Sequence, residues 1–493
     1  MDYETVIGLE VHVQLQTQSK MFCSCRADYQ KAPANTRVCP VCLGLPGALP
    51  VINKKAVEYT IMTGLALGCN IPHFTKFDRK NYPYPDLMKG YQISQYDMPL
   101  AMDGHLEITT DGQARSVRVE RVHLEEDVSK LQHVNDKSKE AHSLVDVNRS
   151  GVPLMEVVSH PDMRTPEEAR SYLTKLHGII QYLGVSTANA QDGSFRCDAN
   201  ISLRPIGQEE YGTKTEIKNM NSMRAVFLAL NHEIERQQKV LNSGDRVVQE
   251  TRGWSEEQNV TYSQRSKEDA HDYRYFPDPD LPPLVVDEAW IEEIQRKIPE
   301  LAGDRLTRFT DQFGLPEYDA RLLTTSKSMA DFFEQTAGLR SVLGEEVEIY
   351  AKNVSNWILG DLSRLLNLQN LDIDDSPVSP EHLRELISLV DDGTVSVSMA
   401  KTVLEEVFQS GESPRHIIQE KAYTQISDSS VVETAVDEAI SANPQAVSDY
   451  MGGKETAAKF LVGQVMKITK GQAKPDLVNE LVVRALEKLR QNF

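Results

Sequence analysis

Residues 6–16 read VIGLEVHVQLQ, with Ile7, Leu9, Val11, Val13 and Leu15 apolar and Glu10, His12, Gln14 and Gln16 between them. A period of two puts the first set on one face of a strand and the second on the other, so the stretch predicts a half-buried β-strand. Its polar face needs a purpose. The same alternation recurs in SFRCDANISLRP, where Arg196, Asp198 and Asn200 share a face opposite Phe195, Cys197, Ala199 and Ile201. A third strand, TKTEIKN, puts Lys214, Glu216 and Lys218 together. Three strands with charged faces can line one cleft.

Helices punctuate these strands. Thr165-Pro166 with Glu168 gives a capping box with proline at the first helical position. Ala169, Tyr172, Leu173, Leu176, Ile179, Ile180 and Leu183 follow at helical spacing up to Gly184. A second helix is predicted from about Ser222 to Leu241, with Gly244 beyond it. The proline-rich YRYFPDPDLPPL, residues 273–284, excludes helix and central strand and marks the approach to a boundary. Beyond about 290 the periodicity is helical. The fold class that follows is α+β: an N-terminal mixed or antiparallel sheet cradle with helices over 1–292, an all-helical domain over 293–405 and a small helical tail over 406–493.

A chain of 493 residues is too long for one core, which suits such a division. No run of about 18 apolar residues predicts a membrane span, and MDYETVIG lacks the pattern of a secretory leader, so a cytoplasmic location is expected. The net charge of −20 argues against coating nucleic acid through the overall field. Residues 451–493 depart from it, with eight Lys or Arg (454, 459, 467, 470, 474, 484, 488, 490) against four acids (455, 476, 480, 487). By charge alone this is a solvated helix face.

Four of the six cysteines sit together, Cys23-x-Cys25 and Cys39-Pro-Val-Cys42. Four thiolates satisfy tetrahedral zinc, and a site with every position taken by protein is structural. The alternative is four buried, unliganded thiols. Glu10 and His12 emerge about 7 Å apart on one strand face, and RVHLEED adds Glu125, Glu126 and Asp127, with Glu156 and Glu216 further on. Oxygen donors of this kind suit magnesium, for which histidine is an uncommon partner. GGKET at 452 and GTKTE at 212 lack phosphate-loop spacing, and no G-x-S-x-G elbow or Ser/Lys constellation suggests amide hydrolysis.

Longer motifs carry a specific resemblance. GLEVHVQLQTQSKMFCSC, NTRVCPVCLGLPGALPVIN, KNYPYPDLMKGYQISQYDMPL, LEEDVSKL, DVNRSGVPLMEVVS, GSFRCDANISLRP, EIKNMNS, ETRGW and RSKEDAHDYRYFPDPDLPPL resemble the B subunits of bacterial tRNA-dependent amidotransferases. MAKTVLEEVF and AAKFLVGQVMK resemble the helical tail those subunits share with small YqeY-type proteins. The resemblance implies ATP-dependent phosphorylation of the side-chain carboxylate of Glu-tRNA(Gln) or Asp-tRNA(Asn). Ammonia from a glutaminase A subunit then displaces phosphate, and a small C subunit completes a heterotrimer.

It further implies that Glu10, His12, Glu125 and Glu216 hold catalytic magnesium and that Lys218, Arg196, Asp198 and Asn200 meet phosphate or the aminoacyl end. Lys89 and Asp192 would flank an ammonia path. Cys23, Cys25, Cys39 and Cys42 would hold structural zinc, and Lys454, Lys459, Lys467 and Lys470 would meet tRNA phosphates. Ala190-Gln191-Asp192 stands where the family has a Met-Glu-Glu run. Two rival functions remain at this point, a noncatalytic tRNA-binding scaffold and a metal-dependent hydrolase of aminoacyl-tRNA.

Overall fold

The computed structural model describes residues 2–134, 142–266, 273–338, 345–421, 423, 429–454, 456–469, 473 and 475–491. It divides into two compact units, Met1–Leu301 and Ala302–Phe493.

The first unit is built on eight strands: β1 (Tyr3–Gln14), β2 (Ala101–Thr110), β3 (Gln113–Glu126), β4 (Pro153–Ser159), β5 (Phe195–Pro205), β6 (Thr215–Met220), β7 (Glu250–Ser255) and β8 (Val260–Ser266). They lie in the order β8-β7-β6-β5-β1-β4-β3-β2. Every pair is antiparallel except β6 with β7. β1 is thus a central strand, flanked by β5 and β4. Its Ile7, Leu9, Val11 and Val13 are buried in the unit's apolar core. Helices α1 (Lys54–Ala66), α2 (Pro166–Leu183) and α3 (Met223–Asn242) pack against the sheet: α1 on β2 and β3, α2 on β2, α3 on β5 and β6.

The local signals have the expected structural result. Thr165 Oγ1 accepts from Glu168 N at 3.2 Å, Pro166 opens α2, and Gly184 closes it at φ 65°. Ser222 caps α3 by accepting from Ala225 N at 3.0 Å. Between β5 and β6 the register slips after Cys197, and Asn219 takes φ 66° in the bulge.

The proline-rich segment is sewn back into this unit. Phe276–Pro277 pairs with Asp78–Asn81, which pairs with Tyr91–Ser94, making a three-stranded sheet in which the prolines stay on an edge.

The second unit is helical and holds two apolar clusters, one from Phe309 to Ile418 and one from Val432 to Leu486. The core therefore changes after Ile418. The expected division at 405/406 instead cuts the helix Val397–Ser410, whose Val403, Leu404, Val407 and Phe408 are all buried in the first cluster. The helix Glu288–Gln295 belongs to the first unit, which runs to Leu301. Among the described residues no helix is long and apolar enough to cross a membrane.

Candidate active site

Opposite the core face of β1, cross-strand register aligns polar side chains in rows. His123 of β3, Glu156 of β4, His12 of β1 and Arg196 of β5 form one row. Glu10 faces Asp198 in the next, and Asn200, Glu216 and Thr251 run across β5, β6 and β7 in a third. The pleat puts Glu125 on the same side as His123.

The rows converge on a cluster of opposite charges. Glu156 Oε2 lies 3.1 Å from His123 Nε2 and 3.7 Å from His12 Nε2. Glu125 lies 3.9 Å from His12 and 3.8 Å from His123, and Ser94 Oγ donates to it at 3.2 Å. One donor atom each from His12, Glu125 and Glu156 can be chosen with all three within 4.8 Å of one another. Both carboxylates are buried. Burial disfavours the Glu156 carboxylate, but His12, His123 and Lys80 outweigh it and hold its pKa far below the usual range. Burial likewise opposes charge on His123, yet Glu156 and Glu125 push its pKa up to about 9. Glu10 goes the other way: burial and the nearby Glu156 and Glu216 carboxylates raise its pKa, with Asn200 Nδ2 donating to it at 2.8 Å.

The other expected site residues spread from this centre. Lys218 Nζ reaches Asp198 at 2.9 Å and Glu216 at 3.2 Å, and these two outweigh burial to keep it charged. Glu216 also accepts from Thr251 Oγ1 at 2.7 Å. Arg196 pairs with Asp127 at 3.2 Å, whose carboxylate also accepts from Gln14 Nε2 at 2.6 Å. Glu10, His12, Glu125, Glu216, Lys218, Arg196, Asp198 and Asn200 thus share one face of the sheet. The carboxylates nearest His12 are Glu125 and Glu156, whereas Glu216 is two strands from β1.

Lys89 and Asp192 do not meet. Lys89 pairs at 2.6 Å with Glu126, in a cavity of about 220 Å³ shared with Cys23, Cys42 and Gly151. Asp192 accepts from Ser194 N at 2.9 Å in its own turn and lines a separate cleft with Gln14 and Tyr29.

The four cysteines gather, their sulfurs all within 4.8 Å of one another. The loop carrying them is fixed by backbone bonds from Met21 N to Gly151 O (2.6 Å) and from Asn53 N to Met21 O (2.9 Å). Cys39 N donates to Cys42 Sγ at 3.1 Å. The Cys23 thiol beside it pushes the Cys42 pKa down to about 4, and that sharing in turn raises Cys23. A knot of thiols that already favours a thiolate is compatible with a structural metal site.

A family profile described as the GatB/GatE catalytic domain matches residues 5–292, and one described as the GatB domain matches residues 331–486. The chain belongs to the GatB family. It is 54% identical over 488 residues to the B subunit of the aspartyl/glutamyl-tRNA(Asn/Gln) amidotransferase of Carboxydothermus hydrogenoformans, covering 99% of this chain and 100% of the relative. The protein of the same name from Dehalococcoides mccartyi is 56% identical over 488 residues, 99% of each chain. That of Moorella thermoacetica is 55% identical over 486 residues, covering 99% and 100%.

In this GatB family member the tail lysines are distributed unevenly. Lys459 and Lys467 are exposed on the helix Thr456–Ile468. Lys454 lies in the turn before it, paired with Asp449 at 3.2 Å, and Lys470 lies outside the described residues. Sequence reasoning had no role for His123, although it alternates with Glu125 in RVHLEED and that period was its available signal. It also passed over Lys80, which stands in the KNYPYPDLMKG motif with no periodic pattern to mark it.

Proposed function

We propose that this protein phosphorylates the side-chain carboxylate of mischarged Glu-tRNA(Gln) or Asp-tRNA(Asn) with ATP and passes the activated acyl group to ammonia, giving Gln-tRNA(Gln) or Asn-tRNA(Asn). The observation that carries the reading is the His12, Glu125 and Glu156 cluster at the centre of a polar sheet face, in a chain of this family. Two anions must approach each other in the reaction, so the site must supply positive charge.

Glu125 and Glu156 offer carboxylate oxygens within one ion's reach, which suit magnesium. His12 would bind through water or orient a carboxylate, with Glu10 next to it on β1 and Glu216 two strands away on the same face. When bound, magnesium would neutralise phosphate charge. The chain's own groups add to this. Lys218 and Arg196 are cations held on the same face by Asp198 and Asp127, and they would meet phosphate or the aminoacyl end. Asn200 holds the Glu10 carboxyl in place.

Ammonia would come from a glutaminase A subunit, with Lys89 and Asp192 along its route, and a small C subunit would join that glutaminase to this chain. The Cys23, Cys25, Cys39 and Cys42 knot would hold zinc and stiffen the loop that continues β1. Residues 1–292 would carry the chemistry, followed by a helical domain and a tail that meets tRNA phosphates through Lys454, Lys459, Lys467 and Lys470, all in the cytoplasm.

The test is to incubate the complex with Glu-tRNA(Gln), ATP, magnesium and ammonium. ADP together with Gln-tRNA(Gln) is the expected result. ATP-independent release of glutamate would replace the reading with hydrolysis, and neither product would leave a scaffold.

A further inference from the structure

Lys80 lies on the middle strand of the three-stranded sheet, in register with Gln92. Two residues beyond Gln92 on the same side of that strand, Ser94 reaches Glu125 at 3.2 Å. Lys80 therefore emerges toward the Glu125 and Glu156 pair. Its ammonium sits 4.8 Å from the centre of the Tyr273 ring and 5.9 Å from that of Tyr82. The rings are fixed, edge to face at 5.7 Å, and Tyr82 Oη donates to Gln92 at 3.2 Å. Among the described residues, the ammonium forms no ion pair and no hydrogen bond.

This is an unusual way to keep a lysine beside two buried carboxylates. Aromatic faces hold a cation without occupying its N–H groups. Burial opposes the charge on Lys80, and Glu125 and its neighbours outweigh burial, so the group stays an ammonium. Three donors remain for an anionic ligand. The charged partners nearby, Lys218 and Arg196, are by contrast already engaged by carboxylates.

We propose that Lys80 is a catalytic residue whose ammonium donates to the anionic oxygens of the phosphoryl group as it passes from ATP to the substrate carboxylate. This rests on the phosphorylation reading above. In that step a carboxylate oxygen forms a bond to the γ-phosphorus, the bond from that phosphorus to the bridging oxygen breaks, and ADP leaves with the electron pair. Lys80 neither gains nor loses a proton. Charge spreads over the equatorial oxygens in the transition state, where a fixed donor is worth most.

The test compares wild type, K80M, K80Q and K80R in the assembled complex, measuring ADP formation with Glu-tRNA(Gln), ATP and magnesium. K80M and K80Q should lose about 100-fold in kcat, the scale of one lost preorganised donor, with KM for ATP changed by less than about threefold. K80R should regain at least about tenfold, because the charge returns. Glutamine hydrolysis by the glutaminase should stay at the wild-type rate, reporting intact assembly.

A K80M complex within about threefold of wild-type kcat overturns the proposal. If the neutral variants do not assemble, K80R decides: activity within about tenfold of wild type supports it, and an assembled but inactive K80R overturns it. A wild-type complex that forms no ADP sinks the phosphorylation reading itself, a result distinct from failure of Lys80 alone.

Discussion

Glu156 is offered by the sequence as an oxygen donor, but its neighbours are not. It stands in PLMEVVS, every residue of which is buried on β4, a central strand paired with β1 on one edge and β3 on the other. The apolar run erases the alternation that made Glu10 and His12 readable on β1. Only pairing opposite His12 and His123 gives Glu156 its place. E156Q should therefore raise the magnesium concentration needed for half-maximal ADP formation by about 10- to 100-fold, the usual cost of weakening a metal site. A titration that superimposes on wild type would remove Glu156 from the site.

His123 allows a second check at the same scale. Its ordinary value of 6.5 rises to about 9 in the folded state. A raised histidine gives stability that is complete below the unfolded pKa and is lost as pH rises through the folded one. In chelator-treated protein, unfolding free energy should fall by up to a few kcal/mol between about pH 6.5 and 9, and H123Q should flatten that part of the profile.

At the scale of elements, the edge of the sheet is tied to α3 by charge. Glu233 is fully buried and accepts from Arg236 Nη2 at 2.6 Å, Thr261 Oγ1 at 3.0 Å and Gln237 Nε2 at 3.0 Å, with Arg252 of β7 3.6 Å away. Removing the charge of Glu233 takes the near carboxylate from Arg236, while Arg252 keeps Glu250 at 2.6 Å. E233Q should cost about 1–3 kcal/mol in urea unfolding, more than an exposed change such as E235Q. The cysteine loop is a second element with its own test. C42S should lower bound zinc from about one per chain to well below half, measured by elemental analysis, because four thiolates close the tetrahedron and three do not.

Capped helices were legible because Thr165, Pro166 and Gly184 act within one turn of their own positions. The three-stranded sheet was not, since Phe276–Pro277 pairs with Asp78–Asn81 across almost two hundred residues of chain. No local period records a contact of that range.

For the whole molecule, the net charge of −20 contrasts with the basic tail. Lys459 and Lys467 stand exposed on one helix, so their charge is available to a polyanion. K459E/K467E should weaken tRNA binding and reduce the slope of log affinity against log salt by about 2. At saturating tRNA its kcat for ADP formation should match wild type. An unchanged salt slope would return the tail to a solvated face.

The sequence by itself determined the α+β class, the polar face of β1, the four-cysteine set and, through long motifs, the family. These are properties of short stretches, set by side-chain period, capping chemistry and residue type. Tertiary structure alone decided that the helical core runs on to Ile418, that Glu156 and His123 join His12 and Glu125, and that Lys80 is held by tyrosines beside them. Each of those depends on strand order and register, which bring distant residues within a few ångströms and which no single stretch encodes.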